Sequence, residues 1–228
     1  MEIFLMKIET DTTAIINEGL LSLRAINRLK KISNKQKRNQ VIYGDLLLQY
    51  VLTINKKQYT PEEISFNTNG KPLLPEGFLN ISNCNEWILL AYSTIGEVGA
   101  DIEQYKECNL GLALYFFTED EVKKLRSIPN TNFKSTAFID AWTFKESYVK
   151  CKGIKLVDIK NKVNTPFAHI PFIKHHTIID RQSFFYLYGF IKDYKWCVGS
   201  TTDFKSFNIK VLQITDVYRH VDYMRRNL

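Results

Sequence analysis

Two carboxylates, Asp101 and Glu103, stand two residues apart in the apolar run Val98-Gly-Ala-Asp-Ile-Glu103. On an extended strand, residues i and i+2 project from the same face, so both acids point together. Like charges side by side are costly unless a cation or a basic partner joins them. Two carboxylates with open positions for water and phosphate oxygens suit Mg2+. Read alone, such a pair is more often a strand end that reaches solvent. A third acid, Glu146, belongs to the run Phe138-Ile-Asp-Ala-Trp-Thr-Phe-Lys-Glu-Ser-Tyr-Val-Lys150, where Trp142, Glu146 and Lys150 are spaced i, i+4, i+8. That spacing stacks them on one helix face. On an open surface a Glu–Lys pair is worth only ~0.3–0.5 kcal/mol. The tryptophan beside it points instead to a half-buried site where the pair serves binding or proton transfer.

The elements that carry these residues follow from the periodicity. Glu2–Ile8 reads as a strand. Thr13 to about Ile32 reads as one helix with Thr12 or Thr13 as its cap, and Lys35–Ile54 as a second with an apolar face. Thr60-Pro-Glu-Glu63 is a capped turn, and Asn67–Pro72 a loop rich in turn residues. Phe78–Ser82, Trp87–Ser93 and Glu97–Glu103 follow at meander spacing. Cys108–Ser127 reads as helix with a restart at Thr118, and Phe133–Cys151 as the clearest helix of the chain, ended by Gly153. The remainder reads as strands at Lys162–Phe167, Phe172–Ile179, Ser183–Ile191, Lys195–Thr201 and Phe207–Ile214. Helices then strands, twice over, argues for an α+β fold of two halves with antiparallel sheets, divided at 1–104 and 105–228.

Composition sets the partners. The net charge is +7, with 31 basic against 24 acidic residues, which favours an anionic partner. No acid occurs between Glu18 and Asp45, a gap that holds Arg24, Arg28, Lys30, Lys31, Lys35, Lys37 and Arg38. A basic run is usually a solvated face; the lack of any compensating acid tips this one toward anion binding. Cys84, Cys108, Cys151 and Cys197 show no CxxC spacing, so free, mostly buried thiols are expected instead of a zinc site or disulfides. His169, His175, His176 and His220 lie outside any metal-binding pattern. The apolar stretches fall short of the ~20 residues of a membrane span, and the N-terminus lacks the charge and length of a signal peptide. A cytoplasmic protein is expected.

Five motifs then occur in fixed order: Asn69-Gly-Lys71-Pro72, Phe78-Leu-Asn-Ile-Ser82, Gly99-Ala-Asp101-Ile-Glu103, Phe116-Phe-Thr-Glu-Asp-Glu121 and Trp142-Thr-Phe-Lys145-Glu146-Ser-Tyr-Val-Lys150. Together they resemble the 4'-phosphopantetheinyl transferases of the surfactin-synthetase-activating type. The resemblance runs from Asn69 to Lys150, and the length matches the monomeric members of that family.

The resemblance implies a pseudo-dimer of two similar α+β halves, with coenzyme A in the cleft between them. It implies Mg2+, with Mn2+ as an alternative, on Asp101, Glu103 and Glu146, and an acyl or peptidyl carrier protein as second substrate. A carrier serine would attack the phosphorus bearing the pantetheine arm, and 3',5'-ADP would leave. Glu146 carries over as the base and Lys150 as the neutraliser of phosphate charge, with Lys145 in support off the Glu146 face. Lys71 carries over to a phosphate contact, Ser82 and Asn83 to coenzyme contacts, and the basic stretch, Arg28 first, to the 3'-phosphate. Glu121 matches an acidic position near the site. Asn83 stands where the family has His, Ala100 where it has a larger apolar residue, and Lys155 where it has a turn glycine. Two other readings are a relative that binds coenzyme A without turnover and a basic nucleic-acid-binding protein; against the latter, the aromatic residues do not interleave with the basic run.

Overall fold

In the computed structural model, which describes residues 1–9, 17–166 and 170–226, strand β1 (Glu2–Lys7) lies between two partners. One is β5 (Trp87–Ser93), antiparallel, and the other β10 (Asn208–Leu212), parallel. β4 (Phe78–Cys84) pairs antiparallel with β5, so the first sheet runs β10-β1-β5-β4. The second sheet runs β6 (Val98–Gln104), β9 (Tyr194–Ser200), β8 (Gln182–Ile191), β7 (Lys174–Ile179), antiparallel throughout. A small hairpin of β2 (Ser65–Phe66) and β3 (Pro72–Leu73) stands apart from both. The fold is α+β, as the order of elements suggested.

Alternation along the strands decides what each sheet covers. Phe4, Met6, Ile88 and Leu90 face α2 (Lys35–Ile54), whose Val41, Leu47 and Val51 close the first core. Asn34 caps that helix, its side chain accepting from Lys37 N at 3.0 Å. Ile3, Leu5, Leu89 and Ala91, on the opposite face, meet Val98, Ala100, Ile102 and Trp196 of the second sheet in a shared apolar layer. On the far side of that sheet lies α5 (Thr131–Lys152), with Phe144, Tyr148 and Cys151 against Phe184, Tyr186, Tyr188 and Cys197. Gly153 ends α5 in the left-handed region, at φ +65°.

The sheets meet where β4 and β6 run side by side, and side chains join them there. Asn80 Oδ1 accepts from Ala100 N at 2.9 Å, Cys84 Sγ from Gln104 N at 3.4 Å, and Asn85 Nδ2 donates to Gln104 Oε1 at 2.6 Å.

Several expectations change. β6 does not continue the β4–β5 meander; it opens the second sheet. The C-terminal β10 joins the first sheet, and α6 (Ile214–Arg226) follows it, burying Ile214, Val217 and Val221 in the first core. The sheets therefore exchange segments across the expected division at 104. Over its described residues the first expected helix is a single 3-10 turn at Glu18–Leu20 followed by α1 (Leu23–Leu29), because Ser22 is extended and caps α1. Thr12, Thr13 and His169 lie outside the described residues. α3 (Leu110–Phe116) and α4 (Glu119–Ser127) part at Thr118, which forms a capping box with Glu121. Residues 162–166 form no strand. None of the described helices is long and apolar enough to cross a membrane.

Candidate active site

Because Val98, Ala100 and Ile102 enter the shared core, β6 turns Gly99, Asp101 and Glu103 toward α5. A Cβ on Gly99 would lie 1.9 Å from Ser147 O and 2.3 Å from Cys151 N, so its absence lets α5 settle on β6. At that separation Lys150 Nζ donates to Asp101 Oδ1 at 2.5 Å and to Ser82 Oγ at 3.1 Å. Ser82 Oγ in turn donates to Asp101 Oδ1 at 3.2 Å. One turn back along α5, Glu146 Oε2 lies 4.0 Å from the same ammonium. Glu103 accepts from Trp142 Nε1 at 3.1 Å on one oxygen and from Lys106 Nζ at 3.0 Å on the other. Trp142 thus packs its ring against Phe116, Phe117 and Phe138 while its nitrogen aims Glu103.

The electrostatics follow from burial and from three acids in one place. Burial pushes the Asp101 carboxyl above its ordinary range, and Lys150 works against that rise. Glu146 is raised by burial and further by Asp101 and Glu103. Burial pulls Lys150 down, but Asp101, Glu146 and Glu103 together outweigh it and hold the ammonium above its usual value. Among the described residues no three acids, histidines or cysteines close into a ready metal cage; the Lys150 ammonium stands between Asp101 and Glu146. One oxygen remains to be accounted for. Asp101 Oδ2 is buried and has no hydrogen-bond partner, which a native core rarely tolerates. Hard oxygen donors with an orphaned carboxylate oxygen among them fit a divalent cation.

An open cavity of about 490 Å³ adjoins this centre, walled by α1, α2, β4 and the β2–β3 hairpin, its lining residues running from Ser22 to Asn83. Apolar Ile32, Val41, Leu48, Leu79 and Ile81 line it together with Arg24, Arg28 and Lys37. The Arg24 guanidinium sits 3.1 Å from the centroid of the Phe66 ring. Asp45 also lines the cavity, but its oxygens hold Ser22, accepting from its N at 2.9 Å and its Oγ at 2.5 Å. Ser82 and Asn83 project to opposite sides of β4, so one strand carries the acid centre on one face and the cavity on the other.

The expected site residues thus fall into two groups. Asp101, Glu103, Glu146, Lys150 and Ser82 come together, and Arg28 and Asn83 meet at the cavity. Lys71 joins neither. It is buried, and its ammonium is held by the Glu97 carboxylate and the Cys151 carbonyl. Lys145 and Glu121 form a separate buried pair. Lys155 adopts φ −99°, a conformation open to any residue, and starts the 3-10 turn Leu156–Ile159, so no glycine is needed there. The Asn80 side chain at the β4–β6 junction and the stacking of Arg24 on Phe66 were not singled out from sequence, and Lys37 was named only as one of the basic run.

A sequence profile described as the 4'-phosphopantetheinyl transferase superfamily matches residues 97–212. Relatives include the 4'-phosphopantetheinyl transferase gsp of Aneurinibacillus migulanus, 36% identical over 115 residues, which are 49% of this chain and 47% of the relative. Sfp of Bacillus subtilis (strain 168) is 28% identical over 131 residues, 55% and 57% of the two chains. The ffp protein of Bacillus subtilis is 28% identical over 140 residues, 59% and 61%. The similarity spans about half to three fifths of these relatives' length. The profile match takes in β6 and α5, the two elements that bring Asp101, Glu103, Glu146 and Lys150 together, and it covers half of the chain: the protein belongs to the 4'-phosphopantetheinyl transferase superfamily.

Proposed function

We propose that this protein transfers the 4'-phosphopantetheine group of coenzyme A to a serine of an apo acyl or peptidyl carrier protein. The observation that carries the reading is the Asp101–Lys150–Glu146 cluster, set beside Ser82, whose strand neighbours Ile81 and Asn83 line a cavity of about 490 Å³. In this reading the two sheets, each with a long helix laid on it, are the halves of a pseudo-dimer, and the monomer binds coenzyme A at their junction. Arg24, Arg28 and Lys37 of the basic run line a concave cavity, which suits a small anion better than the flat or grooved surface a nucleic acid needs. Free thiols at Cys84, Cys108, Cys151 and Cys197 support a cytoplasmic location.

Asp101, Glu103 and Glu146 would hold Mg2+, or Mn2+ in its place. The cation supplies neutralisation of diphosphate charge. Ser82 and Lys150 donate toward the diphosphate oxygens from β4 and α5. Glu146 takes the proton of the carrier serine. The serine oxygen bonds to the phosphorus that carries the pantetheine arm, and the bond from that phosphorus to the bridging oxygen breaks. Lys150 neutralises charge on the departing 3',5'-ADP, which is where phosphoryl transfer needs stabilisation most. Trp142 and Lys106 fix Glu103, so that carboxylate does not have to be ordered during turnover. A basic protein also attracts an acidic carrier.

The test is the mass of an apo carrier protein incubated with this protein, coenzyme A and Mg2+. A gain of about 340 Da, the phosphopantetheine group, is expected. No gain with any of several apo carriers, from protein shown to bind coenzyme A, would leave a binding relative without turnover.

A further inference from the structure

The last carbonyls of a helix have no donor within the helix itself. At the end of α5, Val149 O is taken by the nitrogens of Gly153 and Ile154. Cys151 O is taken by a side chain from a distant part of the chain, the ammonium of Lys71. A cation in that place also complements the negative end of the helix dipole. The same ammonium is held by the carboxylate of Glu97, the residue that leads into β6. Only 6% of the Lys71 side chain is exposed, so little of it is open to a ligand.

The loop that carries Lys71 is shaped to deliver it. Asn67 N donates to Lys71 O at 3.0 Å, and Asn67 Oδ1 accepts from Asn69 N and Lys71 N, each at 2.9 Å. The side-chain amides of Asn67 and Asn69 then donate to Gly153 O at 3.0 and 2.9 Å. A Cβ on Gly153 would lie 2.5 Å from Asn67 Nδ2, so the glycine that ends α5 also admits the loop. Cys151 Sγ donates to Glu97 O at 3.3 Å. The β2–β3 hairpin, the end of α5 and the start of β6 are thus fastened at one point. The acid centre lies next to it: Lys150 precedes Cys151, Glu146 lies one turn back, and Asp101 lies four residues beyond Glu97.

We propose that Lys71 is a positioning residue for the transfer. By holding Cys151 O against Glu97 it seats the last turn of α5 on β6, and so sets the reach of Lys150 and Glu146 to Asp101. The inference rests on the transferase reading and gives Lys71 no contact with coenzyme A. Lys71 therefore governs the rate of transfer and not the tightness of coenzyme binding.

Steady-state carrier modification, calorimetric titration with coenzyme A and a thermal melt of the same samples test this. Lys71→Met keeps most of the side-chain length and removes the charge. It should lower kcat at least about tenfold, since a misplacement of ~1 Å costs up to about a hundredfold. The Kd of coenzyme A should change less than about twofold, because no ground-state contact is lost. A loss of coenzyme A affinity as large as the loss in kcat would make Lys71 a ligand contact and overturn the assignment. A lower melting temperature with kcat unchanged would leave only a structural tie and overturn it too. Asn67→Ala keeps the ammonium but frees the loop from Gly153 O, and should lower kcat about threefold or more at unchanged coenzyme A affinity. That variant decides the matter if Lys71→Met does not fold, and an unchanged kcat in it would then overturn the assignment. Wild-type transfer with indifferent variants would remove this inference alone; wild-type protein that modifies no carrier would remove it together with the transferase reading.

Discussion

Lys145 Nζ and Glu121 Oε2 lie 3.0 Å apart with neither side chain exposed. Glu121 also accepts from Thr118 N and Thr165 N, each at 2.7 Å, and Lys145 donates to the Val163 carbonyl. One ion pair thereby ties α4, α5 and the segment around Val163 together. Burial lowers the Lys145 ammonium, and Glu121 opposes that. Removing one partner leaves a buried charge uncompensated, which costs about 3–5 kcal/mol. Lys145→Met or Glu121→Leu alone should therefore lower urea stability by that order. The double variant should cost clearly less than the sum. Additive losses would show that the pair is not coupled.

Asp101→Asn and Glu146→Gln should each slow carrier modification at least about a hundredfold, the scale of a lost proton acceptor or oriented charge. Asn at 101 can still accept from Ser82 and Lys150, so its melting temperature should stay near wild type. Mass spectrometry of the carrier, with a thermal melt of the same samples, reads both quantities. Full activity in both variants would contradict the assigned centre.

Asp45 gives a pH dependence of stability. Burial raises its carboxyl above the ordinary range, and hydrogen bonds from Ser22 and Gln49 only partly offset this. The folded state then holds the proton more tightly than the unfolded chain. The stability it contributes is fully present below the unfolded value, about 3.9, and is lost as pH rises through the raised folded value. The melting temperature of wild type relative to Asp45→Asn should accordingly fall as pH rises above about 4. A difference that rises with pH would contradict a raised Asp45 carboxyl in the folded state.

Gly99→Ala puts a methyl group into the backbone of α5. With Ser147 O and Cys151 N in the way, α5 must move off β6 or the chain must unfold. Overpacking of this kind costs about 1–3 kcal/mol or more. Carrier modification should drop further than stability, because Glu146 and Lys150 ride on α5 while Asp101 stays on β6. A variant with a normal melt and normal rate would show that the close approach is dispensable.

Local signals made α2 and α5 legible: Asn34 and Gly153 mark their ends, and apolar periodicity runs between. The acid centre was legible for the same reason, since strand alternation pairs Asp101 with Glu103 and helix spacing aligns Glu146 with Lys150. Long-range choices were not. Nothing near Lys71 in sequence announces Glu97 or the Cys151 carbonyl. Val163 and Thr165 alternate as a strand would, but their backbone groups bond to the side chains of Lys145 and Glu121 instead of to a neighbouring strand. α6 was hidden by β-branched and aromatic residues at Ile214, Val217 and Tyr218, although Ile214, Val217 and Val221 recur at helical intervals. β6 reads as the third strand of a meander because short links usually join neighbours; its membership in the second sheet depends on β9, some hundred positions later.

The pairing of β1 with β10 sets the order in which a growing chain can finish folding. β1 precedes β10 by some two hundred positions, so one of its edges stays unsatisfied until residues 208–212 arrive, and the core over α2 stays uncovered until α6 follows. A polypeptide still being synthesised would hold its first sheet open while the carboxylate-bearing sheet assembles from β6 to β9. Contacts of such sequence separation slow folding, and the exposed edge of β1 would be the place where a stalled or shortened chain sticks to its neighbours.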